Sequence, residues 1–328
     1  PIEDRLKSYL VSHMRHQKLP LEYSDLARYT STIALLDRNG DDTLWTTVGY
    51  DQADRKEVHD GLLDIYALLK DHADSSILNH LVVDRVDLCM YGNTKPFRIR
   101  ILNTINENFD YFYVKVADAS RVYGLEFETI LSPNRISYLC EKNTLIEEHI
   151  HGIPGDMFID KYMNDNLNEV RLAKEFVKFN ERCFVRLLGD MHSSNFVIDI
   201  TVDFEENHYR IRPIDFDQQS YEWRKRIYQP QFYKENNPIV NLGIKHLTWE
   251  SVNQYQNEER ALIRRRAAES KYQLNEILEI MKQDFVAPDE HVRKLGIQLS
   301  EHYKEEAFLK CGNMASLIKH SLSMIEHK

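Results

Sequence analysis

The chain is poor in cysteine. Cys89, Cys140, Cys183 and Cys311 are its four thiols in 328 residues, and none lies close to another. No CxxC and no Cys/His finger spacing occurs, which argues against a disulfide framework or a zinc finger and for reduced thiols. Long apolar runs are also missing. No stretch of about 18 apolar residues exists, so no transmembrane helix is expected. The amino end, Pro-Ile-Glu-Asp-Arg-Leu-Lys, has no apolar h-region and does not read as a signal peptide, so the cytoplasm is the expected compartment. Positive charge is in deficit: 42 Lys and Arg face 52 Asp and Glu, for a net charge of −10. That balance disfavours nucleic acid as a partner. No internal repeat and no low-complexity linker is visible.

What is present is core material: 42% hydrophobic residues, with 18 Tyr and 14 Phe. Residues 1–80 read as a mostly helical extension. Ile2, Leu6, Leu10 and Met14 recur at helical spacing. Asn39-Gly40-Asp41-Asp42 reads as a turn and Leu44 to Tyr50 as a short strand. Asp51 is a plausible N-cap for a helix over about 53–70, with Leu62, Leu63, Ile65, Tyr66 and Leu69 as its apolar face. From residue 81 the period changes. Strands are expected over 81–90, 97–102 and 111–117, then a helix over 119–131, then strands over 136–140 and 145–150. This predicts a β-rich unit over 81–152 with a five-stranded antiparallel sheet. Residues 153–328 are expected to be largely helical, with helices at 156–185, 249–283, 288–309 and 312–326.

One stretch stands apart, Arg186 to Ser220. Asp190 precedes Asn195 by five positions, and the apolar run Phe196-Val197-Ile198 follows at once. A second run, Tyr209 to Ile214, ends in Asp215-Phe216-Asp217. Oxygen-bearing side chains at the ends of short apolar segments are how a metal–phosphate site is commonly displayed, on rigid strands at a rim. Magnesium takes such ligands, often one or two carboxylates plus substrate phosphates.

These residues resemble the protein-kinase-like superfamily, nearest to the aminoglycoside phosphotransferase and choline kinase branch. Gly189-Asp190-Met191-His192-Ser193-Ser194-Asn195 resembles that branch's G-D-x-H-x-x-N loop, and Ile214-Asp215-Phe216-Asp217 its metal-binding segment. Val114-Lys115-Val116 resembles the phosphate-contacting strand, and Glu147 to Gly152 the hinge between lobes. The resemblance covers about residues 81–240. It implies an α+β, two-lobed fold: a small sheet lobe, a larger helical lobe, and an extra helical segment at the N-terminus. It also implies ATP and Mg²⁺ as cofactors and a hydroxyl-bearing acceptor, a small molecule or a protein.

Phosphoryl transfer asks a protein to position nucleotide, metal and acceptor and to neutralise developing charge. Asp190 would orient the acceptor hydroxyl and take its proton. Asn195 and Asp215 would bind magnesium, with Asp217 as the alternative to Asp215. Lys115 would hold phosphate oxygens as a point charge. A carboxylate on the following helix would pair with it: Glu128 is preferred, and Glu126 is the alternative. The resemblance gives His192 the task of orienting the loop. Adenine would dock on backbone between Glu148 and Gly152, around Ile150, and backbone near Gly92 would meet phosphate.

Each residue taken singly has a plainer reading. Lys115 could be a solvated strand side chain, Glu126 and Glu128 a helix's polar face, and Asp190 and Asn195 turn formers. Order and spacing together carry the inference. Two departures bear on substrate. The loop Tyr91-Gly92-Asn93-Thr94 holds a single glycine, and the segment after Asp217, Gln218 to Pro230, is longer, more basic and more aromatic than in the small-molecule branch. That segment is either a platform for a peptide or phosphorylated substrate, or a solvated loop packing its tyrosines. Arg264-Arg265-Arg266 reads as a solvated helix face. His149 and His151 lack a third ligand for zinc. The expected activity is a phosphotransferase. An idle kinase-like binding module or a kinase-fold nucleotidyl transferase is the alternative.

Overall fold

The computed structural model describes residues 2–37, 39–70, 79–91, 94–163, 167–202 and 207–326. In chain order the elements are α1 (Asp4–Ser12), α2 (Tyr23–Leu26), β1 (Ser31–Leu36), β2 (Asp42–Gly49), α3 (Gln52–Leu69), β3 (Leu81–Cys89), β4 (Phe97–Asn103), β5 (Phe109–Val116) and α4 (Ala119–Leu131). There follow β6 (Tyr138–Glu141), β7 (Thr144–Glu148), β8 (Ile153–Pro154), α5 (Gly155–Lys161), α6 (Glu169–Val185), β9 (Phe196–Val202) and β10 (Asn207–Pro213). The chain ends in α7 (Asn237–His246), α8 (Trp249–Glu269), α9 (Lys271–Met281), α10 (Asp289–Tyr303) and α11 (Met314–Glu326). The mixed α and β composition, a large antiparallel sheet plus helices, is the expected one. The chain divides into two compact units, residues 1–118 with 136–149, and 119–135 with 150–328. Among the described residues, no helix is long and apolar enough to cross a membrane.

The sheet of the first unit has seven strands, in the order β1-β2-β3-β4-β5-β7-β6, where the sequence pattern predicts five. All neighbours are antiparallel. The two further strands are a hairpin in the segment expected to be mostly helical. Asp37 closes it, its Oδ1 accepting the backbone N–H of Asn39 at 2.8 Å and of Asp41 at 2.9 Å. β1 is almost wholly exposed, so it shows no burial period to betray it. Its place comes from backbone pairing to β2, which alone of the two meets β3.

The core of this unit lies between α3 and one sheet face. Val58, Leu62, Ile65 and Leu69 of α3 cluster with Val83, Val86, Leu88, Ile99, Ile101, Phe112 and Val114. Each such side chain, fully buried, contributes roughly 1.5–3 kcal/mol. Asp51 stands at the N-cap of α3, but its side chain accepts from Thr30 Oγ1 at 3.0 Å and does not cap the helix.

β3 shows how the register is kept. Leu81 and Val83 are buried, and so are Val86 and Leu88, which breaks strict alternation. Val83 faces Ile101 while Arg85 faces Arg100, so Asp84 is one residue extra. The bulge returns the second apolar pair to the core face. On the opposite face Asp87, fully buried, is held by Arg85 at 2.7 Å, Arg98 at 2.9 Å and the Thr47 hydroxyl at 2.9 Å.

The second unit has a small sheet, β8-β9-β10, and a helical mass around α6. Leu172, Phe176, Phe179, Cys183 and Val185 of α6 are buried. So are charged residues of the same helix. Arg182 pairs with Glu175 at 2.7 Å and Glu259 at 3.4 Å, and Glu181 with Arg260 at 2.6 Å. The helix expected over 249–283 breaks at Ser270 into α8 and α9. The end of the one expected over 288–309 is a separate 3₁₀ turn, Glu306–Lys310, because Lys304 stops α10 in a left-handed conformation. Cys140 and Cys183 are buried in their own units, and burial pushes both thiols up to about 12. Neither is a nucleophile near neutral pH.

The bulge yields a sharp prediction. Asp84→Ala removes only an ion pair to Arg100 that is 3.4 Å long and partly exposed, so urea unfolding should shift by no more than about 1 kcal/mol. Deleting Asp84 turns half of β3 over and should abolish the cooperative transition. A deletion variant with wild-type unfolding would contradict this register.

Candidate active site

The stretch Arg186 to Asn195 is held in place by backbone bonds to residues 214–227. Leu188 bridges Gln219, Ser220 N–H donates to Leu187 O at 2.8 Å, and Gly189 N–H to Gln218 O at 3.1 Å. The buried amide of Gln219 donates to Arg186 O at 2.6 Å, Leu187 O at 3.2 Å and Ser220 Oγ at 2.7 Å. Leu187, Asp190 and Ser220 have φ of 57°, 59° and 57°. Left-handed backbone is uncommon for residues other than glycine, least so for Asp and Asn. Here the crossing bonds impose it.

At the turn, Asp190 projects a partly exposed carboxylate. Its carbonyl accepts from Asn195 Nδ2 at 2.8 Å, and Asn195 N–H donates to His192 O at 2.9 Å. With its NH₂ turned to Asp190, the amide of Asn195 keeps its oxygen for another partner. His192 Nε2 stands 4.0 Å from Asp190 Oδ2. Burial raises the proton affinity of Asp190; His192 opposes this, and the carboxylates of Asp215, Glu222 and Glu235 add to it.

Asp215 and Asp217 lie just past β10, two residues apart, with Phe216 fully buried between them. Helix α4 receives this segment along one face. A Cβ on Gly124 would come within 2.8 Å of Phe216 Cβ, so only glycine allows the approach. One turn earlier on that helix, the buried Arg121 brings Nη2 to 3.5 Å from Asp215 Oδ1 and 3.6 Å from Asp217 Oδ2. The two aspartates thus stand alike toward the guanidinium. Ser120 Oγ donates to Gln219 O at 2.6 Å, tying the start of α4 to the same segment.

Could this set hold magnesium? Among the described residues, no group of three or more His, Cys, Asp and Glu side chains could hold a metal ion. The set here is different: one amide oxygen and one carboxylate, hard donors of the kind that hold magnesium together with substrate phosphates. Asp215 Oδ1 is buried and accepts no hydrogen bond. The residues fit the ion.

Glu128 and Lys115, expected as a pair, each have a partner within their own unit. Glu128 is fully buried and ion-paired with Arg186, with Asn134 Nδ2 donating to its Oε1 at 2.7 Å. Burial works against its ionisation, but Arg186, Ser132 and Asn134 outweigh it and hold the carboxyl below the usual range. Glu128 points into its own unit and fastens α4 to the first residue of the site stretch. Glu126, the alternative, is also buried and accepts from Gln273 Nε2 at 3.0 Å.

Lys115, in the first unit, finds its carboxylate on a neighbouring strand. Its Nζ is 2.7 Å from Glu147 Oε2, and both side chains are buried. Lys115 faces Leu145 across the ladder, which puts Glu147 diagonally on the same sheet face. Glu148 commits its N–H to Ser137 O at 3.0 Å and its carboxylate to Ser137 N at 2.7 Å, so that amide is not open to a base. Ile150 is a buried apolar residue of the second unit. Gly92 lies outside the described residues.

Sequence reasoning overlooked Arg121, Arg186 and Gln219. Arg186 carried a signal: it sits between Phe184-Val185 and Leu187-Leu188, and a charge inside an apolar run demands a buried partner. Arg121 and Gln219 carried none.

Two measurements test this geometry. Glu128→Ala leaves the Arg186 guanidinium buried without its carboxylate and should cost about 3–5 kcal/mol in chemical unfolding; an effect under about 1 kcal/mol would contradict the pair. Asp190 acts in the opposite sense. An unfolded aspartate titrates near about 3.9, and folding raises this one. Above the folded value its charged form is held at a loss, and the loss is relieved as pH falls through that value. Asp190→Asn should therefore melt above the wild type at pH 7, with the difference shrinking on acidification. Equal melting at pH 7 would count against it.

No family model matches the chain, and no curated protein matches it.

Proposed function

We propose that the chain is an ATP-dependent phosphotransferase of the protein-kinase-like kind, transferring the γ-phosphate to a hydroxyl. The observation that carries the reading is the braced turn at Asp190. A carboxylate of raised proton affinity is fixed by the Asn195 amide, and the Asp215–Asp217 segment is bonded to the same stretch.

Asp190 is the proton acceptor for the substrate hydroxyl. Its raised proton affinity makes it a better base than an ordinary aspartate. Asn195 contributes an amide oxygen and Asp215 a carboxylate as the ligands of magnesium. When bound with nucleotide, the ion neutralises phosphate charge and aligns the γ-phosphate for in-line transfer. His192, its Nε2 4.0 Å from Asp190 Oδ2, tempers the charge of that carboxylate. The Lys115–Glu147 pair belongs to the first unit and carries no part of this proposal.

ATP consumption screened across hydroxylated metabolites and generic protein acceptors should reveal turnover that needs Mg²⁺. Asp190→Ala should lower it by at least about 100-fold while leaving Mg²⁺-dependent thermal stabilisation by ATP intact. Asp215→Ala should abolish that stabilisation. ATP binding without turnover on any acceptor would favour an idle module, and a nucleotidylated product in mass spectrometry would overturn phosphate transfer.

A further inference from the structure

Arg121 is an unusual neighbour for a carboxylate read as a metal ligand. Its side chain is 1% exposed, and its Nη2 lies almost midway between Asp215 Oδ1 at 3.5 Å and Asp217 Oδ2 at 3.6 Å. Charge-assisted N–H···O bonds run near about 2.7–2.9 Å. The guanidinium therefore serves both carboxylates as a shared counter-charge more than as a tight partner of either. It does not wander. The face of α4 that carries it is seated by Gly124 against Phe216 and by Ser120 on Gln219 O. Nor can it be switched off, because arginine keeps its proton throughout the accessible pH range.

We propose that Arg121 is a positioning residue that keeps the Asp215–Asp217 pair closed to free divalent metal, so that metal enters with nucleotide. The inference rests on the reading of Asp215 as a metal ligand. With a fixed cation beside them, part of the negative charge of the two carboxylates is already offset. Any cation that ligates Asp215 shares that carboxylate with the buried guanidinium, and two like charges on one partly buried carboxylate repel. Nucleotide phosphates bring the missing negative charge. The metal–nucleotide complex is then admitted where the bare ion is not, and a resting enzyme does not collect adventitious metal.

The probe is Mn²⁺, titrated into nucleotide-free protein and followed by the electron paramagnetic resonance signal of the free ion. Wild type should bind Mn²⁺ weakly. Arg121→Met should bind it at least about tenfold more tightly, and Arg121→Lys, which keeps a cation, should stay within about threefold of wild type. Identical titrations of wild type and Arg121→Met would overturn the proposal, as would a Lys variant that behaves like Met. Should Arg121→Met fail to fold, the comparison is repeated in an Asp217→Asn background, where its removal leaves fewer buried charges unmatched. There Arg121→Met must again tighten Mn²⁺ binding, and equal affinities would overturn the inference. Adding Asp215→Ala to Arg121→Met should erase the gain; a gain that survives places the ion elsewhere and sinks the ligand assignment instead. Loss of wild-type MgATP binding in Asp215→Ala tests that assignment separately, whichever way the Arg121 comparison falls.

Discussion

An arginine inside a protein cannot shed its charge, so the fold has to bring carboxylates to it. The second unit is arranged around three such side chains. Arg182 meets Glu175 on its own helix and draws Glu259 of α8 to α6, Arg186 draws Glu128 across from α4, and Arg121 draws the Asp215–Asp217 segment to the same helix. All but the Arg182–Glu175 pair join elements far apart in sequence. Together they decide where α4 lies, and α4 in turn decides how residues 214–220 approach the turn at Asp190. Apolar packing alone would leave that approach adjustable by a fraction of a helical turn. Ion pairs in a dry interior do not tolerate such slippage.

The geometry of the turn follows from the same bracing. Leu187, Asp190 and Ser220 hold a backbone conformation that none of them would choose in isolation. Local preference is overruled by the Gln219 amide and by the bonds that cross between the two strands of chain. The result is a carboxylate whose position is fixed from below, leaving its head partly in water. Strain and desolvation at that one residue are the counterpart of the rigidity around it.

Much of this was legible in the residues and some was not. The strands from 81 to 116 announce themselves by the alternation of their apolar positions, and β6, β7 and the helix over 119–131 by the length and bounds of their apolar runs. β1 has no buried side and gave no sign, and β2, read as a short strand over 44–50, was not placed in the sheet, so a seven-stranded sheet was read as five-stranded. Asp190, Asn195 and Asp215 could be found because their spacing between apolar runs is itself a pattern. The partner of Glu128 could not. On a helix buried on nearly every side, sequence phase does not say which neighbour a carboxylate meets, and Lys115 found its counter-charge on an adjacent strand at Glu147. Arg121 illustrates the limit most plainly: a lone arginine in a helix looks solvated until the tertiary structure shows what encloses it.

The place of α4 in the chain has a consequence for biosynthesis. It is made between two strands of the first unit, yet it belongs to the second. As the polypeptide leaves the ribosome, Arg121 and Glu128 emerge well before Arg186 and the Asp215–Asp217 segment exist. The first sheet can close over β6 and β7 while this helix still waits for its counter-ions. The same feature means that no single cleavage of the chain parts the two units from each other. A fragment beginning at residue 150 would carry Arg186 without Glu128, and Asp215 and Asp217 without Arg121.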